Sequence, residues 1–484
     1  MPEGHALNEN ANRDPCRPGY HFLPPANWMN DPCGLIQWKG QYHLFYQYNP
    51  RAAYHDLIHW GHAVSEDLVH WTHLPVALTP TPDGPDKDGC WTGCAVDHDG
   101  IPTLFYSGVF PQTVCIATSS DDLLTWEKYE GNPVIEAPPH DLRYQTGGHF
   151  RDPYVWQEGE HWYLIIASKV KDVGGMILLY RSQDLIHWEY LNPLMVGDIH
   201  KGDPFRTGTM WECPSLIQVG DRHVLLVSIQ ATPSDHLYTV YHTGKFEAQR
   251  FTPETQGILV HGGYFYAPQV MPLDDGRHVL WGWLKEGRSQ RTSEWTGWAG
   301  GMSLPLALSL QKDRGMVVEP VPELQARRRE HWHLEGLELE PEPFKLLEEI
   351  RGDSLEIVAE FELEGEAEFG LRLRYSPDGR EQTRIVYQAA QSQIVVERDE
   401  SSVSPDVERG ECTAPVELAA AELLRLHIFL DRSVLEVFAN GGRTCLATRI
   451  YPLRPDSLGL GLMLRSGRVK LRSMDVWALA STWE

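Results

Sequence analysis

Gly40-Gln-Tyr-His-Leu-Phe-Tyr46 is a glycine turn followed by a short apolar, aromatic strand, and the chain carries four more versions of it. These are Gly100-Ile-Pro-Thr-Leu-Phe-Tyr106, Gly159-Glu-His-Trp-Tyr-Leu-Ile165, Gly220-Asp-Arg-His-Val-Leu-Leu226 and Gly276-Arg-His-Val-Leu-Trp-Gly282. The glycines are 60, 59, 61 and 56 residues apart. A second echo, Ser65-Glu-Asp-Leu-Val-His-Trp71, returns as Ser120-Asp-Asp-Leu-Leu-Thr-Trp126 and Ser182-Gln-Asp-Leu-Ile-His-Trp188. Strong helical periodicity is absent between these marks, and Gly, Pro, Asn and Asp are dense. Repetition at such a period signals an array of like units. Short strands with turn signals make each unit a propeller blade of about four strands. A β-sandwich with accidental internal similarity is the alternative, and the regular spacing disfavours it.

Ahead of the glycine turn, four of the five repeats have another short strand with an X-Pro step: Asp31-Pro32, Asp152-Pro153, Cys213-Pro214 and Ala267-Pro268. The prolines precede their glycines by 8, 6, 6 and 8 residues. Asp31, Asp152 and Glu212 therefore occupy nearly the same place in three blades. If that place is the innermost strand, the three side chains face the central channel near one mouth.

Each acid has a bland reading and a chemical one. Asp31 lies in Asn27-Trp28-Met29-Asn30-Asp31-Pro32, and Asn-Asp-Pro favours turn initiation. Asp152, in His149-Phe150-Arg151-Asp152-Pro153, reads as a surface ion pair or as a carboxylate kept charged by Arg151. Glu212, in Met210-Trp211-Glu212-Cys213-Pro214, reads as a strand-edge residue or as an acid whose apolar flanks raise its pKa, which suits a general acid. Three such acids at matching positions, in contrasting surroundings, favour chemistry. Glycoside cleavage uses this division of labour: one acid protonates the leaving oxygen while another carboxylate attacks or activates water.

The 484 residues exceed one ordinary core, so two domains are expected. A net charge of −25 argues against nucleic acid as a partner. Aromatics make up 10% of the chain, 17 of them Trp, which suits sugar-binding faces and cores alike. No apolar run is long enough to span a bilayer. The first twenty residues contain no apolar signal segment, and the eight cysteines are scattered rather than framed as disulfides. A reduced, cytoplasmic protein is expected. His55, His59 and His62 have a spacing that hints at a metal, but they fall in strand-and-turn sequence, and no metal is assigned.

Beyond Pro320 the composition shifts. Arg327-Arg328-Arg329 and a Glu-rich stretch read as a linker with short elements and a solvated face. Alternating strands follow, including Leu355–Phe361, Leu424–Leu430 and Ser433–Phe438, and period-two alternation with one wet face reads as a β-sandwich. The expected layout is an extension over 1–19, a propeller over 20–320, a linker over 321–350 and a sandwich over 351–484.

At these residues the sequence resembles glycoside hydrolase family 32, the β-fructofuranosidases. The resemblance runs from about Tyr20 to the C-terminus. It is carried by Trp28-Met-Asn-Asp31-Pro, Trp60-Gly-His-Ala-Val-Ser-Glu-Asp-Leu68, Trp91-Thr-Gly-Cys-Ala95, Phe150-Arg-Asp-Pro153, Trp211-Glu-Cys-Pro214, Phe265-Tyr-Ala-Pro-Gln269 and Phe429-Leu-Asp-Arg-Ser-Val-Leu-Glu-Val-Phe438. It implies an all-β chain: a five-bladed β-propeller followed by a β-sandwich. It also implies a retaining mechanism through a covalent fructosyl-enzyme, with carboxyls roughly 5–5.5 Å apart. Asp31 would be the nucleophile, Glu212 the acid/base and Asp152 the transition-state stabiliser. Asn30, Gln47, Trp60, Trp91, Thr92, Arg151 and Trp298 match positions lining the fructose pocket. Trp28, Trp60 and Trp91 could wall that pocket or fill blade cores. No metal or organic cofactor is implied.

Three departures stand out: Cys33 where Asn is usual, Tyr264 where an acid often precedes Phe-Tyr-Ala, and Leu306 after Pro305 where Arg is common. The last two bear on the leaving group. The expected activity is release of terminal β-D-fructofuranosyl groups from sucrose or short fructo-oligosaccharides. A fructosyltransferase, a sucrose-6-phosphate hydrolase and a non-catalytic sugar-binding propeller are the alternatives. The oligomeric state is not legible.

Overall fold

The computed structural model describes residues 9–201, 206–232, 235–311, 315–341 and 345–482. The five repeat glycines sit at hairpin turns with φ between 62° and 86°, where a Cβ would be strained. Each hairpin joins the first two strands of a four-stranded antiparallel blade. The innermost strands, in order, are Asn27–Trp38, Cys90–His98, Arg151–Glu158, Met210–Val219 and Phe265–Pro272. The second echo is the turn between third and fourth strands. Asp67 Oδ1 accepts the backbone N–H groups of Val69 and His70, and Asp184 Oδ1 does the same for Ile186 and His187. The following Trp71 and Trp188 donate their indole N–H back to Leu68 and Leu185.

Every innermost strand touches the next, and the fifth touches the first, so the ring is closed. Trp298–Ala299 reinforces the closure by pairing in parallel with Asn27 and Trp28. Each innermost strand also breaks register near the channel mouth. Asn30-Asp31, Thr92, Asp152-Pro153, Cys213-Pro214 and Ala267-Pro268 are the extra residues at these bulges. Asp152, Cys213 and Ala267 have positive φ there. A bulge re-aims side chains out of strict alternation, and five bulges at one level re-aim theirs toward one place.

The C-terminal body is a sheet folded on itself. Two long strands, Ser354–Tyr375 and Gly459–Leu479, pair along most of their lengths and serve two layers. The first half of Ser354–Tyr375 pairs with Leu424–Asp431, and its second half pairs with Thr383–Gln388. Phe361 and Phe369, one from each half, meet with centroids 5.1 Å apart in the shared core.

Two expected boundaries differ. The charged stretch 321–350 is not a bare linker: Arg328–Glu338 is a strand paired with Gly459–Leu479. Its Arg328 binds buried Glu356 at 2.6 and 2.7 Å. Residues 342–344 lie outside the described residues. The described part of the extension, 9–19, packs into the body, with Ala11 buried and Asp14 accepting from Arg288 and the Trp298 indole. His21 then joins the two bodies. Its ring lies between Asp431 (2.8 Å) and Glu436 (2.9 Å), all three side chains fully buried.

Candidate active site

The bulges place two tiers of side chains around the mouth. Asp31, Thr92, Asp152, Cys213 and Ala267 are bulge residues, while Trp91, Arg151, Glu212 and Tyr266 directly precede the last four. The first three blades and the fourth meet through short polar contacts. Thr92 Oγ1 donates to Asp31 Oδ2 at 2.5 Å, and Asn30 Nδ2 donates to Asp31 Oδ1 at 3.1 Å. Gln47 Nε2 donates to Thr92 Oγ1 at 2.5 Å and reaches Asp31 Oδ2 at 3.4 Å. Cys213 ties two acids together: its Sγ lies 3.3 Å from Asp31 and 3.6 Å from Asp152, and its backbone N–H donates to Asp152 at 3.0 Å.

Glu212 stands beside them in a polar clasp. Arg151 donates to its Oε1 through Nε (3.1 Å) and Nη2 (2.7 Å), and the Tyr266 hydroxyl donates to Oε2 at 2.7 Å. Both electrostatic expectations for this pair are reversed. Arg151 makes only a long ion pair with its neighbour Asp152, whose Oδ2 is 4.0 Å from Nε. Neighbouring strand residues diverge, so the guanidinium reaches across to the next blade instead. The apolar flank of Glu212 also turns elsewhere, since Trp211 packs flat on Gly175, where an added Cβ would come within 2.2 Å of the ring.

Charge follows this geometry. Burial pushes Asp31 up to about 6, opposed by the Thr92 hydroxyl and reinforced by the charge of Glu212. Burial likewise raises Asp152, which Arg151 only partly offsets. Burial acts on Glu212 too, but Arg151, His236 and Tyr266 outweigh it and hold that carboxyl below its ordinary range.

The acids form the floor of a cavity of about 480 Å³. Trp28, Trp91, Phe110 and Trp283 wall it, with His55 wedged between Trp28 and Trp91. Of the expected pocket residues, Asn30, Gln47, Trp91 and Arg151 line it. Thr92 lies just beneath, wholly buried against Asp31. Trp60 and Trp298 do not line it. Trp60 is fully buried in the core between the first two blades, its indole donating to the Trp91 carbonyl at 3.2 Å. Trp298 is fully buried behind the first strand, donating to Asp14 at 2.8 Å with Arg288 over its ring.

Sequence reasoning missed Gln112, His149, Gln230, His236 and Tyr266 in the lining. Tyr266 had a usable signal: it precedes Ala267-Pro268 as Glu212 precedes Cys213-Pro214. The others sit on second and third strands or on connections, where no repeat mark falls. Among the described residues, no group of three or more His, Cys, Asp or Glu is arranged to hold a metal. His62 instead stacks on Phe45, and His59 bonds the Leu57 carbonyl.

A closed five-bladed ring with three carboxylates at one mouth holds the groups that glycoside cleavage needs. The model of the glycosyl hydrolases family 32 N-terminal domain matches residues 21–320, and that of the family 32 C-terminal domain matches 323–478. The chain belongs to glycoside hydrolase family 32. It is 36% identical to a sucrose-6-phosphate hydrolase of Zymomonas mobilis over 96% of this chain and 92% of that one. It is 33% identical to a raffinose invertase of Escherichia coli, over 96% and 95%. Fructan 1-exohydrolase IIa from Cichorium intybus superposes with a TM-score of 0.86 at 28% identity, covering 96% of this chain and 98% of that one.

Proposed function

We propose that this glycosidase releases terminal β-D-fructofuranosyl units from sucrose and short fructo-oligosaccharides with retention of configuration. In this reading Asp31 attacks the anomeric carbon and Glu212 protonates the leaving oxygen. Water then hydrolyses the fructosyl-Asp31 ester with Glu212 acting as base. Asp152 accepts hydrogen bonds from fructose hydroxyls and offsets the positive charge that develops on the ring. The observation that carries the reading is the bridge made by Cys213: the residue next to Glu212 touches both Asp31 and Asp152.

The cavity suits one furanose with an aromatic rim for the second sugar. The named relatives act on sucrose 6-phosphate and raffinose, and the structural neighbour on fructan. A small sugar is therefore the partner we assign, with no role for nucleic acid. Among the described residues no helix is long and apolar enough to cross a membrane. All eight cysteines are buried and unpaired, which suits the reducing cytoplasm, and we assign the protein there.

Initial rates on sucrose, sucrose 6-phosphate, raffinose and inulin, measured side by side, test the substrate class. Adding methanol tests the stereochemistry, since retention yields methyl β-D-fructofuranoside. Equal release of glucose and fructose marks hydrolysis, whereas glucose in excess marks transfer to sugar. The α-fructoside from methanol, or no turnover at all, would refute the assignment.

A further inference from the structure

Glu212 can present a proton on one side only. Its Oε1 takes two nitrogens of Arg151, at 3.1 and 2.7 Å. A guanidinium stays protonated, so a further proton on Glu212 belongs on Oε2. That oxygen accepts the Tyr266 hydroxyl at 2.7 Å and has His236 Nε2 3.8 Å away, so it faces the fourth and fifth blades. The leaving oxygen has to meet Oε2, and the leaving sugar therefore departs on this side.

A second cavity, of about 690 Å³, opens there. It shares Trp28, His55, His236 and Trp283 with the catalytic cavity. Trp28 and Trp283, edge to face with centroids 5.8 Å apart, form the sill between the two. Four carboxylates line the second cavity, Asp235, Glu286, Glu408 and Glu411, against three cations, Lys285, Arg288 and Arg398. Both arginines are already engaged. Arg288 donates to Asp14 at 2.6 Å and to Glu286 at 3.0 Å. Arg398 donates to the Tyr264 hydroxyl at 2.7 Å and to the Arg449 and Arg409 carbonyls at 3.2 and 3.0 Å. Lys285 is placed differently. Its Nζ has three donors, and one of them goes to the His236 carbonyl at 2.6 Å. Burial lowers its pKa to about 8, which the charges of Glu408 and Asp235 offset only in part.

We propose that the second cavity receives the leaving sugar as a neutral polyol, and that Lys285 recognises it by donating hydrogen bonds to its hydroxyls. The proposal rests on the reading of Glu212 as acid/base. A sugar hydroxyl both donates and accepts, so it can take a proton from Lys285 and give one to a carboxylate of the wall. A phosphorylated sugar fits less well. Its dianion would meet one cation not already held by a carboxylate, among four carboxylates, and like charges brought together are unfavourable. Preference for the leaving group thus depends on both bodies, since Arg398, Glu408 and Glu411 belong to the C-terminal one.

The test measures fructose release by wild type, Lys285→Met and Lys285→Arg. The substrates are sucrose, sucrose 6-phosphate and methyl β-D-fructofuranoside, whose methanol is too small to reach the second cavity. In wild type, kcat/KM on sucrose exceeds that on sucrose 6-phosphate by about tenfold or more. In Lys285→Met, the ratio of kcat/KM on sucrose to that on the methyl fructoside falls by about tenfold or more. Lys285→Arg keeps a charged donor and holds this ratio within about threefold of wild type. A lysine with a merely structural role would lower both rates together and leave the ratio unmoved. An unmoved ratio in Lys285→Met, or a wild type that prefers sucrose 6-phosphate, would overturn the proposal. Wild type that releases fructose from none of the three would instead sink the functional reading beneath it.

Discussion

Arg151 keeps a 4.0 Å ion pair with Asp152, its neighbour in the chain, but grips Glu212 in the next blade through two nitrogens at 3.1 and 2.7 Å. The guanidinium favours the ionised carboxylate, so its removal raises the Glu212 pKa. In Arg151→Leu the alkaline limb of kcat/KM moves to higher pH. The rate near neutrality falls as well, because a residue lining the cavity is lost. A pH–rate series on sucrose checks both signs, and a limb that moves down contradicts the pairing.

Thr92 does for Asp31 what Arg151 does for Glu212, on a smaller scale. Its hydroxyl donates to the carboxylate at 2.5 Å and favours the charged form. Thr92→Val removes a hydrogen bond to a charged group, worth about 1.5–3 kcal/mol. Asp31, at about 6 in the intact site, should then rise by roughly one to two pKa units. The acid limb of kcat/KM moves up accordingly, and an unmoved limb would separate Thr92 from Asp31.

Trp91 and Trp298 should part company when each is changed to Ala. Trp91 lines the cavity, so its loss raises KM with a modest effect on Tm. Trp298 is fully buried behind the first strand, so its loss costs about 3–5 kcal/mol of stability and leaves KM near wild type in the folded fraction. Thermal melts and Michaelis curves on the two variants decide this. A large KM change in the Trp298 variant alone would put that indole back in the pocket.

His21 sets a limit on alkaline stability. Burial disfavours its charge, but the hydrogen bonds its ring nitrogens donate to Asp431 and Glu436 overcome that and raise its pKa from 6.5 to about 9. The stabilisation this supplies is complete below pH 6.5 and is lost as pH rises through about 9. His21→Gln leaves two acids without their cation and should cost about 3–5 kcal/mol at neutral pH. Urea titrations from pH 6 to 10 should show wild type falling toward the variant. Parallel curves would show that the ring is not charged.

The propeller was legible because its marks are local: each repeat glycine makes a hairpin turn with positive φ, and only sequence spacing is needed to see it. The sandwich was legible from alternation, but Arg328–Glu338 was not. Its burial pattern is mostly exposed because it is paired on one side only, so a charged strand read as a linker. The three acids could be found from the X-Pro step, which marks the bulge. Their electrostatics could not, because the partner of Arg151 lies in another blade and no local pattern records which way a bulge turns a side chain. The family resemblance placed Trp60 and Trp298 in the pocket, and no local pattern could correct it, since an indole next to a motif can point to either face of its strand.

Asn27 and Trp28 find their parallel partners in Trp298 and Ala299, at the far end of the propeller sequence. The segment bearing Asp31 thus stays open along one flank until nearly all of the propeller has left the ribosome. An unfinished chain would own Asp31 without the geometry to use it, so the first moment of competence coincides with completion of the ring.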